Sequence, residues 1–243
     1  MPNTYDLGGR VAVISGASGG LGPAVVRAFV QSGATVEAVA RSAQSDGYDD
    51  LRRQLGDVAD RLNLQAADVL DEGQVSALVE RIVRVRGRLD IALNLVGGFA
   101  AGQPITELPY ERWQRMLDLN LRSTFLVSKH VARPMVEQGW GRIINLSSRS
   151  AYRGRRNAAA YAVAKSAVIT LTEAQAEELQ ETGVTVNAVV PSIIDTPANR
   201  KGMPDAKFDR WPKPDEIARV LLFLASDDSS LINGAAIPVY GRA

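Results

Sequence analysis

The 243-residue sequence contains no cysteine and one histidine, His130. The first absence excludes disulfides, thiolate nucleophiles and thiolate metal sites, and the second excludes a centre built on several histidines, so no metal is expected. A Ser-His-Asp hydrolase could be assembled only around His130, which lies in the helical segment LVSKHVARPM and reads as a structural or surface residue. No apolar run approaches the roughly 20 residues needed to span a bilayer, so no membrane partner is expected. The opening MPNTYDLGGR has neither a basic leader nor the apolar core of a secretion signal, and a cytoplasmic location is the expectation. Charge of one sign is also not in excess: 28 Lys plus Arg meet 27 Asp plus Glu, for a net charge of +1. With the basic residues spread along the chain, no nucleic-acid partner is expected.

What is present is the composition of a globular protein, 46% hydrophobic and 23% charged, at a length ordinary for one α/β domain. Short β-branched runs alternate with helical patterns. RVAVISG, TVEAVAR, LNLQAADV, LDIALNLVG, RIINLSS, VTVNAVVP and GAAIPVYG read as strands, with a long helical region after the fourth. This order predicts a single-domain, doubly wound parallel sheet of about seven strands with helices on both faces, because parallel strands need crossovers between them. VAVI, DIALNLV and TVNAVV are apolar nearly throughout, as strands buried on both faces should be. The polar, proline-bearing segment 198–214 interrupts the alternation and reads either as a loop over a substrate or as a surface excursion.

The first strand runs into Ser15-Gly16-Ala17-Ser18-Gly19-Gly20-Leu21-Gly22, and a helical pattern begins at Pro23. Glycines at 16, 20 and 22 would let backbone amides and a helix N-terminus approach a pyrophosphate, or would serve tight packing alone. Tyr161 and Lys165, four apart in AAAYAVAKSAVITL, leave one face of a helix. A free phenol ionises at about pH 10, and a neighbouring ammonium brings it toward the range of a working acid or base. Taken alone, the pair could equally be a core aromatic above an exposed lysine.

Further motifs fall in order. Asp68 follows the third strand, Asn94-Leu95-Val96-Gly97 the fourth and Ser148 the fifth; Asn120 lies in a long helix; and Pro191 to Thr196 form a Pro-X-X-X-X-Thr turn. With GlyXXXGlyXGly and TyrXXXLys, this series resembles the short-chain dehydrogenase/reductase family, in particular its compact 3-oxoacyl-carrier-protein-reductase-like members, over nearly the whole chain. Ser148 precedes Tyr161 by thirteen residues, the family's spacing, which favours it over Ser147.

The resemblance implies a Rossmann-type fold and hydride transfer between a nicotinamide nucleotide and a carbonyl or alcohol. Of the implied catalytic residues Asn120, Ser148, Tyr161 and Lys165, Ser148 would bond the carbonyl and Tyr161 would exchange the proton as general acid/base. Lys165 would lower the tyrosine pKa and bond the nicotinamide ribose, and Asn120 would hold a water linking Lys165 to solvent. Implied cofactor-binding residues are Gly16, Ser18, Gly20, Leu21, Gly22, Arg41, Ser42, Asp68, Val69, Asn94, Gly97, Tyr161, Lys165, Pro191, Ile194 and Thr196. NAD-preferring members usually carry an acid at the end of the second strand. Ala40, Arg41 and Ser42 stand there instead, so NADP(H) is favoured over NAD(H), with Arg41 on the 2′-phosphate. A surface role for Arg41 stays open, since Gly19 occupies the place of a base found in many NADP-dependent members.

Two positions depart from the family. Asn-Asn-Ala-Gly is Asn94-Leu95-Val96-Gly97, which should alter local structure only, and Pro-Gly is Pro191-Ser192, which bears on how closely that backbone approaches the nicotinamide. A homotetramer pairing the long helices is implied. The substrate is expected to be a small-molecule or carrier-linked carbonyl compound, bound by Ser148, Tyr161 and Arg153. Arg149, Arg153, Arg155 and Arg156 crowd the eight residues after Ser148, consistent with an anionic substrate or with a solvated loop or subunit contact. The rival to an enzyme is a catalytically silent dinucleotide-binding sensor of the same fold. A sugar-nucleotide epimerase or dehydratase shares TyrXXXLys but usually needs a longer chain.

Overall fold

The strands alternate their side chains between two cores. In β1 (Val11–Ser15), Ala12 and Ile14 enter one core while Val11 and Val13 enter the other. The same period recurs in β4 (Ile91–Asn94), where Ile91 and Leu93 oppose Ala92, and in β5 (Gly141–Leu146), where Ile144 opposes Ile143. Such strands are stable only between two helical layers. The structure, a computed structural model, describes residues 5–41 and 46–242. With β2 (Thr35–Ala40), β3 (Leu62–Ala66), β6 (Val184–Pro191) and β7 (Ala236–Val239), the described strands form one seven-stranded parallel sheet in the order β3-β2-β1-β4-β5-β6-β7.

One face is covered by α1 (Gly22–Gln31), α2 (Asp46–Leu55) and α8 (Pro214–Ala225). The other is covered by α3 (Glu72–Arg86), α5 (Ser123–Gln138) and α6 (Ala159–Glu178). Asp71 caps α3 by accepting from the Gln74 amide at 3.0 Å, and Gly87, at φ +74°, ends it. The expected long helix after β4 begins only at Tyr110, since residues 95–109 are irregular apart from a short turn. From there α4 (Tyr110–Leu117) passes through a π-helical turn, Asp118–Arg122, into α5.

The amino edge of the sheet is stitched by a buried charge. Asp90 accepts from the Val11 amide at 2.8 Å and from Arg88 at 2.6 and 2.8 Å, while its backbone joins β1 to β5. Full pairing makes a carboxylate tolerable at that depth. His130 bonds Glu72 at 3.3 Å on the outer surface of α5 and α3, as a surface residue. Among the described residues no helix is long and apolar enough to cross a membrane.

Candidate active site

β1, β4, β5 and β6 end side by side at Ser15, Asn94, Leu146 and Pro191, beside the point where strand order reverses and where ligands of such sheets bind. A cleft of about 880 Å³ opens there. It brings Gly97, Asn120, Ser148, Tyr161, Lys165, Pro191 and Ile194 together, from a sequence span of nearly a hundred residues.

Helix α6 places Tyr161 and Lys165 one turn apart on the face that meets β5. Lys165 is 3% exposed, its ammonium donates to the Leu146 carbonyl at 2.7 Å, and burial pulls its pKa from 10.5 to about 8. Ser147 is spent on structure, its hydroxyl donating to the Lys165 carbonyl at 2.7 Å. Ser148, one residue on, hydrogen-bonds the Tyr161 phenol and accepts from the Ser150 amide at 3.2 Å. Burial pushes the Tyr161 phenol above its ordinary 10, and the bond to Ser148 opposes the rise. The expected lowering by Lys165 is not among these influences; the lysine is turned to Leu146 and its own charge is weakened by burial. The phenol is therefore held protonated at neutral pH. Phe99 meets the Tyr161 ring edge-on at 5.1 Å between centroids.

Asn120 lies in the π-helical turn, fully buried. Its amide donates to the carbonyls of Gly98 and Met116, each at 3.0 Å, and its oxygen accepts from the Gly98 amide at 3.1 Å. The π-bulge turns this side chain inward, a device common at functional sites. A Cβ on Gly97 would sit 2.8 Å from Asn120 Oδ1 and 3.2 Å from Lys165 Nζ. The two groups therefore border one small gap that only glycine leaves open, and they are not bonded to each other directly.

The remaining nucleotide-turn residues lie outside the cleft, at the carboxyl ends of β1 to β3. Gly16, at φ +74°, is so close to β4 that a Cβ would fall 2.7 Å from the Val96 amide, and one on Gly20 would fall 2.9 Å from Thr196 Cγ2. Ser18 is exposed, Leu21 is the buried N-cap of α1 and Gly22 is its first residue. Arg41 is exposed just past β2 and makes no ion pair among the described residues; Ser42 lies outside them. Asp68 accepts from the Leu70 amide at 3.0 Å, and the Val69 side chain is in the core, leaving its backbone for a ligand. Both amide hydrogens of Asn94 are spent, on Ser128 at 2.9 Å and Asn145 at 2.8 Å, and Leu95 fills core space. The departure at 95 thus leaves the cross-strand amide link in place.

Ile194 accepts at its carbonyl from the Thr196 amide at 2.9 Å and from Asn199 Nδ2 at 2.8 Å. Ser192, which lines the cleft, donates its hydroxyl to the Tyr240 carbonyl at 2.7 Å. The segment 198–214 includes most of α7 (Pro197–Gly202) and a turn, Phe208–Arg210, and presents Asn199 and Met203 to the cleft. It is fastened by a two-pronged Arg200–Asp195 pair at 2.5 and 2.8 Å, which holds the Asp195 carboxyl below its usual range. Arg149, Arg153 and Arg155 line the cleft and Arg156 does not. Phe99 and Tyr240 also line it and carried no sequence signal beyond the position of Phe99 after a strand's carboxyl end.

A family model described as Enoyl-(Acyl carrier protein) reductase matches residues 16–241. A 3-oxoacyl-[acyl-carrier-protein] reductase of Thermotoga maritima is 33% identical, the match covering 97% of this chain and 98% of that one. A short-chain type dehydrogenase/reductase structure from Mycobacterium ulcerans superposes with a TM-score of 0.90 at 29% identity, covering 98% and 90% of the two chains. A Beutenbergia cavernae structure described as an NAD(P)-dependent gluconate 5-dehydrogenase with bound NADP gives 0.87 at 31%, covering 99% and 98%. Fold, cleft and matches define an NAD(P)-dependent oxidoreductase of the dehydrogenase/reductase class. The chain belongs to the short-chain dehydrogenase/reductase family.

Proposed function

We propose that this protein interconverts a ketone and a secondary alcohol with Tyr161 as general acid/base, using NADP(H) in preference to NAD(H). The observation that carries the reading is the Ser148–Tyr161–Lys165 cluster, with Lys165 buried and the two hydroxyls half-buried, in a cleft at the sheet's carboxyl edge. The cradle suits a dinucleotide: Gly16 and Gly20 keep side chains out of the pyrophosphate turn, and the nearly inaccessible Lys165 ammonium has one protein acceptor for its three hydrogens. That turn, Lys165 and the Thr196 region would hold a nicotinamide nucleotide, which would supply or take the hydride.

Ser148 and Tyr161 then receive the substrate oxygen between their hydroxyls, and Tyr161 gives its proton to that oxygen as negative charge develops. Lys165, with a pKa of about 8, is mostly charged at neutral pH yet releases a proton readily, which suits resupply of the phenol. A water in the gap between Asn120 Oδ1 and Lys165 Nζ would link the amine to solvent and return the proton it has passed to the phenol. Arg41, charged and unpaired among the described residues, supports recognition of a 2′-phosphate. Exposed Phe125 and Val136 on α5 and Val163 on α6 support pairing of these helices in a homotetramer.

The test is hydride transfer from NADPH to a ketone panel. Wild type should turn over, and Tyr161→Phe should bind nucleotide normally while losing at least roughly 100-fold in kcat. A Tyr161→Phe enzyme within a few-fold of wild type would sink the assignment. Nucleotide binding with no turnover on any ketone would favour the sensor.

A further inference from the structure

The cleft is charged asymmetrically in a way that hydride transfer does not require. Its lining contains Arg149, Arg153, Arg155 and Lys165, and no Asp or Glu among the described residues. Lys165 is 3% exposed and donates to Leu146, and Arg149 lies over the Tyr240 ring at 5.6 Å. The guanidinium groups of Arg153 and Arg155 are exposed and have no ion-pair or hydrogen-bond partner among the described residues, in a chain with 27 acidic residues.

The arc that carries them is anchored at both ends. Upstream, the Ala151 carbonyl accepts from Ser166 Oγ at 2.6 Å and the Tyr152 amide donates to the Arg149 carbonyl at 3.2 Å. Downstream, the Ala158 amide donates to the Arg155 carbonyl at 3.1 Å, and Asn157, at φ +61°, accepts from the Gly102 amide at 3.0 Å. The two arginines thus sit on a short span fixed at the mouth, while Phe99, Ile193, Ile194 and Met203 supply apolar lining. A planar guanidinium grips a carboxylate or phosphate through paired hydrogen bonds. With a net charge of only +1, the positive potential is local to the cleft.

Building on the carbonyl reduction proposed above, we infer that the enzyme selects carbonyl substrates bearing an anionic group. Arg153 and Arg155 hold the anion, and the hydrocarbon body packs against Phe99 and Met203. The anion belongs either to the substrate, as a keto acid, or to a phosphopantetheine arm that carries the acyl group.

The test measures kcat/KM for three compounds of matched carbon skeleton: a neutral ketone, its carboxylated counterpart and the phosphopantetheine thioester of the keto acyl group. Wild type, Arg153→Gln/Arg155→Gln and Arg156→Gln are compared. The wild type should favour one anionic compound over the neutral one by at least about tenfold at low ionic strength. That advantage should shrink as salt shortens the Debye length from about 30 Å to a few ångström. It should be lost in the double variant and kept in Arg156→Gln, whose arginine shares the loop but not the cleft; the preferred compound identifies the source of the anion. Equal kcat/KM for all three, a ratio unchanged in the double variant, or a loss shared by Arg156→Gln overturns the inference. If no ketone is reduced, the functional reading fails. Calorimetry of the keto acid and the thioester on the same three proteins then decides: binding lost only in the double variant supports the clamp, and absence of binding refutes it.

Discussion

Replacing Lys165 with methionine should stabilise the protein while silencing it. The lysine titrates at about 8 in the fold against 10.5 when free. Between those values the unfolded chain holds the proton more tightly, so stability rises with pH through that window, and the cost of burying the ammonium is present in full below about pH 8. A difference of that size corresponds to about 3 kcal/mol. Methionine fills similar space without charge but leaves the Leu146 carbonyl without its 2.7 Å donor, returning about 1 kcal/mol. A net gain of about 2 kcal/mol should raise Tm by roughly 5 °C in a chain of this size at pH 7. The assay is thermal unfolding from pH 7 to 10.5 at fixed protein concentration, since association shifts Tm. The Lys165→Met advantage should be largest at pH 7 and shrink above pH 8, while kcat falls at least roughly 100-fold. A variant no more stable than wild type at pH 7, or an advantage that persists unchanged at pH 10.5, would refute the burial argument.

Two further outcomes rest on single distances and charges. Gly97→Ala should press on Asn120 Oδ1 and Lys165 Nζ and lower kcat by at least about tenfold. Gly202→Ala, whose Cβ meets nothing within 4 Å, should leave kcat unchanged; equal kcat in both variants would show that the gap has no role. Arg41→Ala should lower kcat/KM for NADPH by about tenfold or more and leave NADH within a few-fold, and unchanged NADPH kinetics would remove the 2′-phosphate assignment.

The strands were legible because burial on both faces leaves apolar runs such as Val11–Ile14, which few other environments produce. Tyr161 and Lys165 were legible by helical period, whereas the choice of Ser148 over Ser147 needed the family's spacing and gains its physical reason only from the Ser147 bond to the Lys165 carbonyl. The long helical region after β4 was legible as such, but its start at Tyr110 was not, because Leu95 and Val96 extend the apolar run while Gly98 stays irregular and bonds Asn120 through its backbone. The π-bulge itself, the turn of Lys165 toward Leu146, and Tyr240 beneath Arg149 arise from contacts between distant segments, which local pattern does not encode.

The strand order has a practical consequence for redesign. Arg41 follows β2 and Ser148 follows β5, with β1 and β4 between them, so the two sites are separated by about 14 Å of sheet at ordinary strand spacing. Substitutions that far apart and without shared partners have nearly additive free energies. On the roles proposed for Arg41 and for the 149–156 arc, exchanging the nucleotide and retargeting the carbonyl compound are therefore separable problems. A library varied at the β2 terminus and another varied along 149–156 can be selected in parallel and then combined, each keeping its gain.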